Sequence, residues 1–128
     1  MPVFTEAEVA YLASQPLMRF ASASPTGKPD VTPVTFGLDG DDIVSGGFDI
    51  SRSVRYRNIQ KNPQVTVVID DLASVDPWSP RGVKVIGTGA IDETPDGAGF
   101  RITPKVIISW GINQVAEGIP EMERREVG

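Results

Sequence analysis

Four basic residues stand close together in a stretch of the chain that carries no acidic side chain. The stretch, between positions 49 and 70, holds Arg52, Arg55, Arg57 and Lys61, in a chain whose formal net charge is -5. If a helix begins near Ser51 or Ser53, two of these cations fall in its first turns, where the helix dipole disfavours them by about 0.3 to 1 kcal/mol each. A phosphate ester there would accept hydrogen bonds from backbone N–H groups, a serine hydroxyl and guanidinium groups. The spacing predicts a phosphate site, although a solvated helix face explains it about as well.

Two further segments carry residues suited to a planar ligand. Asp30-Val31-Thr32-Pro33-Val34 places a proline inside a predicted strand, where it removes a ladder hydrogen bond, so a ligand, a bulge or an edge strand is indicated. The segment 76–82 is longer than a hairpin turn needs and carries Trp78 and Arg81. Trp78 is equally suited to stacking on a planar ring, closing one end of a barrel or contacting a second subunit.

The composition excludes several kinds of chemistry. The 128 residues include no histidine and no cysteine, which removes imidazole bases, thiol nucleophiles, disulfides and thiolate zinc sites, and we expect no metal site. The acidic balance argues against a nucleic-acid partner or an anionic membrane surface, because both usually need a broad basic face. No segment reaches the roughly 20 apolar residues of a membrane span, and no leader pattern opens the chain, so we expect a cytoplasmic protein.

The elements that must position these residues follow from periodicity and punctuation. Thr5 and Glu8 have capping-box spacing and predict a helix within residues 1–16, and the segment from Ser51 to Lys61 predicts a second helix that stops at Asn62-Pro63. Period-two alternation and glycine-containing turns predict an antiparallel meander of three strands, followed by three more strands after the second helix. The predicted strands are Met18–Ser22, Asp30–Phe36, Ile43–Phe48, Gln64–Asp70, Val83–Ile91 and Phe100–Ile112.

Glycines and a proline within these strands indicate how the sheet bends. Gly87 and Gly89 lie two apart on one strand face, which predicts a small curved barrel or a close approach by another group. Pro104 predicts an edge or a bulge, and Trp110 falls on the apolar face and is predicted to be core. The segment 117–128 reads as a polar tail with no need for burial, so residues 1–128 are predicted to form a single domain.

The order and spacing of several short stretches resemble a known family. Together they resemble the pyridoxamine-phosphate-oxidase-like split-barrel superfamily, in particular the oxidoreductases that use the deazaflavin coenzyme F420. The match runs from about residue 17 to 112. The stretches are Arg19-Phe20-Ala21-Ser22, Ser24-Pro25-Thr26-Gly27-Lys28-Pro29, Val31-Thr32-Pro33-Val34, Asp39-Gly40-Asp41, Ser53-Val54-Arg55-Tyr56-Arg57-Asn58-Ile59, Asn62-Pro63 and Ser109-Trp110-Gly111.

The resemblance implies a mainly β protein, a homodimer of six-stranded antiparallel split β-barrels, with two cofactor sites at the subunit interface. The segment before Asn62-Pro63 would hold the cofactor phosphate through Ser51, Ser53, Arg55, Arg57 and Asn58. The flavin-like ring would lie along Val31, Thr32, Pro33 and Val34, and the pocket would be completed by Trp78, Pro80 and Arg81. Relatives often carry lysine where this chain has Arg55, so the positive charge is kept.

The activity implied is transfer of a hydride from reduced coenzyme F420 to a small planar organic acceptor. Such an enzyme needs no side-chain nucleophile, which suits a chain without histidine or cysteine. Tyr56, Arg81 or a water could supply the accompanying proton, and no catalytic residue is predicted. Two alternatives remain open: an FMN-dependent oxidase or reductase of the same fold, and a carrier that binds F420 or a flavin without turnover.

Overall fold

Two short helices and eight strands make up the fold in the computed structural model, which describes residues 2–47, 49–94, 97–113 and 121–128. The helices are α1 (Glu6–Ala13) and α2 (Val54–Lys61), and a 3₁₀ turn over Ile50–Arg52 precedes α2. The strands are β1 (Met18–Ala23), β2 (Pro29–Val34), β3 (Gly37–Asp39), β4 (Asp42–Ser45), β5 (Gln64–Ser74), β6 (Ser79–Thr94), β7 (Gly97–Trp110) and β8 (Met122–Glu126).

The predicted capping box at the start of α1 is confirmed. The Thr5 hydroxyl accepts a hydrogen bond from the backbone N–H of Glu8 at 3.1 Å, and the Glu8 carboxylate accepts one from the N–H of Thr5 at 2.9 Å. Together these bonds satisfy donors that the first turn of a helix leaves free. The helix buries Tyr11 and Leu12 in the core, so its position is fixed at both ends.

All strands belong to one antiparallel sheet that curls strongly but stays open. Its order is β2-β1-β5-β6-β7-β4-β3, and β8 pairs with the half of the β7 edge that β4 leaves free. In a flat sheet β1 and β7 would lie about 14 Å apart. Instead the rings of Phe20 on β1 and Phe100 on β7 meet edge to face, with centroids 5.4 Å apart. The concave inner face of the sheet therefore encloses the core.

The predicted antiparallel fold is confirmed, but the six-stranded barrel is wrong, and so is the third strand of the predicted meander. β2 pairs with β1 and ends at Val34. Residues 37–45 then form a separate hairpin of β3 and β4, and β4 pairs with β7 on the far side of the sheet. The Ser45 hydroxyl donates to the carbonyl of Thr35 at 2.7 Å and holds the intervening turn. Phe48, the predicted end of the third strand, lies outside the described residues.

Of the edge or bulge predicted at Pro104, the structure has the bulge, and it reverses the faces of β7 beyond it. The pairing of β6 with β7 slips there, and Lys105 is the extra residue. Ile107 therefore points into the core, while Trp110 moves to the outer face, where it is half-buried. A Cβ on Gly82 would collide with the Trp110 ring, so the indole lies directly on this glycine. The prediction that Trp110 is core is wrong because it assumed regular alternation along the whole strand, whereas the extra residue at the bulge shifts the pattern by one.

In the predicted polar tail, the described residues 121–128 are mostly exposed, and they include the strand β8, which the sequence did not indicate. β8 pairs with β7 from Val106 to Trp110. The Arg125 side chain forms two hydrogen bonds with the carboxylate of Glu8 and donates to the carbonyl of Val3 at 2.6 Å. Because Glu8 is only 1% exposed, this ion pair is largely withdrawn from solvent and joins the two ends of the described chain. No helix in the described ranges is long and apolar enough to cross a membrane.

Candidate functional site

The basic segment lies where the chain leaves β4 and enters α2. Asp49 has a left-handed backbone conformation with a φ angle of 56°, and it is followed by the 3₁₀ turn. Ser53 then caps α2: its hydroxyl accepts from the N–H of Tyr56 at 3.2 Å and donates to the carbonyl of Ile50 at 2.6 Å. The first turn of an α-helix leaves further N–H groups without intrahelical partners, and such groups can donate to a bound anion.

Arg55 is a half-buried cation at the start of α2. Its guanidinium carbon lies 5.2 Å from the centroid of the Phe100 ring. Its Nε is buried and has no hydrogen-bond partner in the described part of the chain. Burial lowers the pKa of Arg55, and the charge of Asp30 acts in the opposite direction. A buried donor without a partner costs about 1 to 3 kcal/mol, so a bound anion would remove an existing penalty.

Two of the other residues predicted to bind the phosphate, Ser51 and Asn58, make other contacts in the structure. Ser51 is exposed, and its hydroxyl lies 3.5 Å from the carboxylate of Asp49. Asn58 is buried and donates its side-chain N–H to the hydroxyl of Ser22 at 3.0 Å. That bond ties α2 to β1, so Asn58 supports the helix from the side opposite solvent. Of the predicted set, Ser53 and Arg55 both belong to the start of α2, Ser53 as its N-cap and Arg55 in its first turn.

The remaining cations of the segment form an exposed row. Arg52, Arg57 and Lys61 are all exposed. Arg57 lies two positions from Arg55, about 200° around the helix, so the two guanidinium groups leave α2 on different sides. Arg52 pairs with Asp49 at 3.3 Å, but its side chain is 86% exposed, and such surface pairs contribute at most about 1 kcal/mol. Arg57 also donates a long hydrogen bond to the carbonyl of Arg52 at 3.5 Å, so the contacts of this row within the described chain are weak and exposed.

The predicted ring-lining residues of β2 are divided between the two faces of the sheet. Val34 is in the core and Thr32 is half-buried on the same inner face, whereas Val31 and Pro33 are exposed on the outer face. Among the described strands, β2 pairs with β1 alone and is therefore an edge strand. The edge position accounts for Pro33, because an edge strand can lose a ladder donor at little cost.

Trp78, Pro80 and Arg81 belong to an arm made by the ends of β5 and β6. The arm is defined as residues 70–81, which pair with each other beyond the last residues paired to β1 and β7. The segment predicted as a long loop is thus mostly strand. At its tip Trp78 is 56% exposed and Val75 is 70% exposed. Large apolar side chains exposed in this way are typical of a surface that contacts a partner.

The base of the arm contains a polar cluster that the sequence did not reveal. Arg81 binds the Asp71 carboxylate through two hydrogen bonds, from Nε at 2.7 Å and Nη2 at 2.9 Å. Tyr11 of α1 donates to the same carboxylate at 2.8 Å, and its ring lies 5.2 Å below the Arg81 guanidinium carbon. Burial and the neighbouring Asp71 raise the pKa of Tyr11. Nothing in the local spacing brings residues 11 and 71 together, because their contact depends on how α1 packs.

Within one chain the arm and the phosphate residues lie at opposite ends of β6. α2 packs over Gly89, since a Cβ on that glycine would come within 3.2 Å of the Ile59 side chain. Arg81 is eight positions away along the same strand, roughly 26 Å at about 3.3 Å per residue. The described single chain therefore does not bring all the predicted residues into one pocket.

The outer face of the sheet carries many apolar side chains, with Arg19 and Lys84 among them, and it is not covered by either helix. Both helices pack on the inner side, α2 over Gly89 and α1 through Tyr11 at the arm base. Uninterrupted apolar runs at 67–69, 85–86 and 106–108 are the signal that could have identified this face, because strands buried on both faces lose their alternation. The apolar residues that point outward are Ala21, Val31, Pro33, Val68, Ile86, Val106, Ile108 and Trp110.

Comparison with known proteins identifies the family. The sequence profile of the pyridoxamine 5'-phosphate oxidase family matches residues 4–120. This chain belongs to that family. It is also 36% identical over 119 residues to a 5a,11a-dehydrotetracycline/5a,11a-dehydrooxytetracycline reductase of Streptomyces rimosus subsp. rimosus, a match that covers 85% of this chain and 84% of the relative. These similarities support an oxidoreductase with a flavin or deazaflavin cofactor.

Solved structures with the same fold carry different functions. One is an F420 reductase, with a TM-score of 0.61 and 21% identity over 76% of this chain and 93% of that one. Another is a haem-binding protein from Mycobacterium smegmatis, with a TM-score of 0.73 and 17% identity over 97% of this chain and 59% of that one. At these identities the likeness establishes the fold alone, so the function must be argued from the site.

Proposed function

We propose that this protein is a homodimeric, F420-dependent oxidoreductase that reduces an activated carbon–carbon double bond in a planar organic acceptor. The observation that carries the proposal is the buried, unpaired Nε of Arg55 at the start of α2. Few proteins leave a buried charged donor without a partner unless a ligand supplies it. The reductase from Streptomyces rimosus supports the reaction class, because its name describes reduction of dehydrotetracyclines.

The residues present fit a phosphorylated cofactor. The guanidinium of Arg55 would form charge-assisted hydrogen bonds with the phosphate, and free N–H groups of the first turn of α2 would add further donors. Gly47 leaves space beside that guanidinium, since a Cβ there would lie 3.7 Å from Nη2. Reduced F420, when bound, would supply the hydride. The protein's task is then to hold the ring against the acceptor and to exclude water.

The exposed cations favour F420 over FMN. F420 carries an acidic oligoglutamyl tail, whereas FMN ends at its phosphate. Arg52, Arg57 and Lys61 lie exposed along and beside α2, where a tail leaving the helix start would pass. Complementary charge of this kind steers an anionic ligand and stabilises it less at high salt.

A homodimer is supported by two separate features. The apolar outer face would be covered by a second copy, as large uncovered apolar faces are uncommon on monomers. A dimer would also bring an arm next to α2, because the arm of one subunit could complete the site at α2 of the other. On this proposal Trp78 would lie against the cofactor ring held by the partner, with Pro80 and Arg81 behind it.

A haem-binding role is less well supported by this chain. The haem-binding protein from Mycobacterium smegmatis has the same fold, but protein ligands to haem iron are most often histidine or cysteine, and this chain has neither. Two alternatives to the F420-dependent enzyme remain, an FMN-dependent enzyme and a carrier that binds the cofactor without turnover. Both would use the same phosphate site.

One titration tests the proposal against these alternatives. The purified protein is titrated with F420 and with FMN, following the fluorescence of each ring, and bound reduced F420 is then offered a dehydrotetracycline as acceptor. We expect preferential binding of F420, weaker at high salt, and oxidation of the bound reduced cofactor. Preference for FMN would support the FMN enzyme, and binding without turnover of any enone acceptor would support the carrier. Binding of neither cofactor would refute the proposal.

A further inference from the structure

The arm extends beyond the part of the sheet that supports it. β1 last pairs with β5 at Val68, and β7 last pairs with β6 at Gly82. Beyond these positions residues 70–81 form ladder pairs only with each other within the described chain, and Gly111 lies close to the backbone of Pro80 and Arg81 at the base of the arm. An isolated two-stranded ribbon is marginally stable in water, so an arm of this kind needs another contact to hold a fixed direction.

Asp71 supplies that contact through four hydrogen bonds. One carboxylate oxygen accepts from Tyr11 and from Arg81 Nε, and the other accepts from Arg81 Nη2 and from Gln15 at 3.2 Å. Arg81 stands directly opposite on the other strand of the arm, whereas Tyr11 and Gln15 come from α1 and the residues after it. The carboxylate thus joins both strands of the arm to α1.

The helix that receives the arm is itself firmly held. Glu8 of α1 is 1% exposed and pairs with Arg125 of β8, and the capping box fixes the first turn. Tyr11 is 5% exposed and Leu12 is 2% exposed, so both are part of the core. The hydrogen bond from Tyr11 to Asp71 therefore connects the arm to a rigid part of the molecule.

We infer that Tyr11 and Asp71 are positioning residues that brace the arm and so set where Trp78 meets the cofactor site of the partner subunit. The effect on cofactor binding rests on the proposed function, whereas the brace itself is formed within a single chain. Neither residue touches the cofactor, and both act through the direction of the arm.

The expected effect on affinity follows from the population of the positioned arm. If loss of the brace leaves the arm in its binding position for one twentieth to one fifth of the time, the apparent affinity for the cofactor falls by about 5- to 20-fold. Asp71→Asn removes the charge that holds Arg81 and should act more strongly. Tyr11→Phe removes one hydroxyl, keeps the core volume and should act in the same direction with a smaller effect.

The arm can be observed without any cofactor. The chain has no cysteine, so Ala73→Cys places a single nitroxide label at an exposed position of the arm. We expect slow label motion in the parent protein and faster motion after Asp71→Asn or Tyr11→Phe. Asp70→Asn is the matched control, because this exposed neighbour undergoes the same change and should leave the motion unaltered. Cofactor titration of the unlabelled variants should follow the same order.

The two measurements distinguish failure of the brace from failure of the proposed function. Unchanged label motion in both Asp71→Asn and Tyr11→Phe would overturn the brace. Faster motion with normal F420 and FMN affinity would overturn the link between the arm and the site. If the parent protein bound neither cofactor, the proposed function would fall, and the label motion would still decide whether Tyr11 and Asp71 brace the arm.

Discussion

Replacing Arg55 by methionine should separate cofactor binding from folding stability. Methionine keeps the apolar stem of the side chain but removes the guanidinium, including the buried Nε that lacks a partner in the described chain. Most substitutions of a half-buried residue weaken both binding and stability. Here we expect binding to be weakened without a loss of stability, because on our proposal the guanidinium serves a ligand and its Nε has no partner within the described chain.

The magnitudes follow from the contacts of the Arg55 side chain. Leaving a buried donor unpaired costs about 1 to 3 kcal/mol, whereas the cation–π contact with Phe100 contributes about 0.5 to 2 kcal/mol. The free energy of unfolding of the cofactor-free protein should therefore stay within about 1 kcal/mol of the parent or rise by up to about 2 kcal/mol. Hydrogen bonds to a charged phosphate contribute about 1.5 to 3 kcal/mol, so the dissociation constant should rise about 10- to 150-fold.

Urea denaturation and fluorescence titration measure the two effects on the same preparation. Arg52→Met is the matched control, because that side chain is 86% exposed in the same segment and should change stability little. It should lower F420 affinity only slightly, and only at low salt. The reasoning is refuted if Arg55→Met destabilises the cofactor-free protein by more than about 1 kcal/mol, or if it binds F420 and FMN as tightly as the parent.

Two further predictions concern the fold that holds the site. Hydrogen bonds and the charge of Arg125 outweigh burial and lower the pKa of Glu8 below its usual 4.5, so the unfolded chain takes up the proton first. The free energy of unfolding, measured by urea titration, should thus fall as the pH drops below about 5. Glu8→Gln should be less stable than the parent already at pH 7 and should lose less stability on acidification. Parallel pH profiles of the two proteins would contradict this. Gly82→Ala should lower the melting temperature, since its methyl group meets the Trp110 ring and overpacking costs about 1 to 3 kcal/mol. Gly46→Ala is the control and should leave the melting temperature unchanged, because a Cβ there faces open space; equal effects of the two substitutions would contradict close packing of Trp110 on Gly82.

Local signals predicted the elements of the fold better than their arrangement. The capping box at Thr5, the helix start near Ser51 or Ser53 and the edge or bulge at Pro104 were predicted from residues close in sequence, and the structure has a capping box, a helix capped by Ser53 and a bulge there. The pairing of β4 with β7 and the position of β8 depend on distant partners, so the alternation of single strands could not reveal them. Reading the apolar pattern through the bulge placed Trp110 on the wrong face.

The candidate site shows the same division between local and distant information. The charge anomaly around Arg55 was visible in the sequence, and its structural counterpart is the unpaired buried Nε. The grouping of Ser51 and Asn58 with it came from family resemblance, and Asn58 instead bonds Ser22. The cluster of Tyr11, Asp71 and Arg81 could not be predicted, because it forms only once α1 packs beside the arm.

The central claim is that a cofactor site combines Arg55 of one subunit with the Trp78 arm of the other. Subunits carrying Arg55→Met are mixed with subunits carrying Trp78→Ala, unfolded together, refolded and titrated with F420. Each variant alone should have two defective sites, whereas every mixed dimer should contain one intact site, so about a quarter of all sites should regain full affinity. If both residues served the same subunit's site, each site of a mixed dimer would carry one defect. A refolded mixture that binds F420 no better than either variant alone would therefore contradict the account.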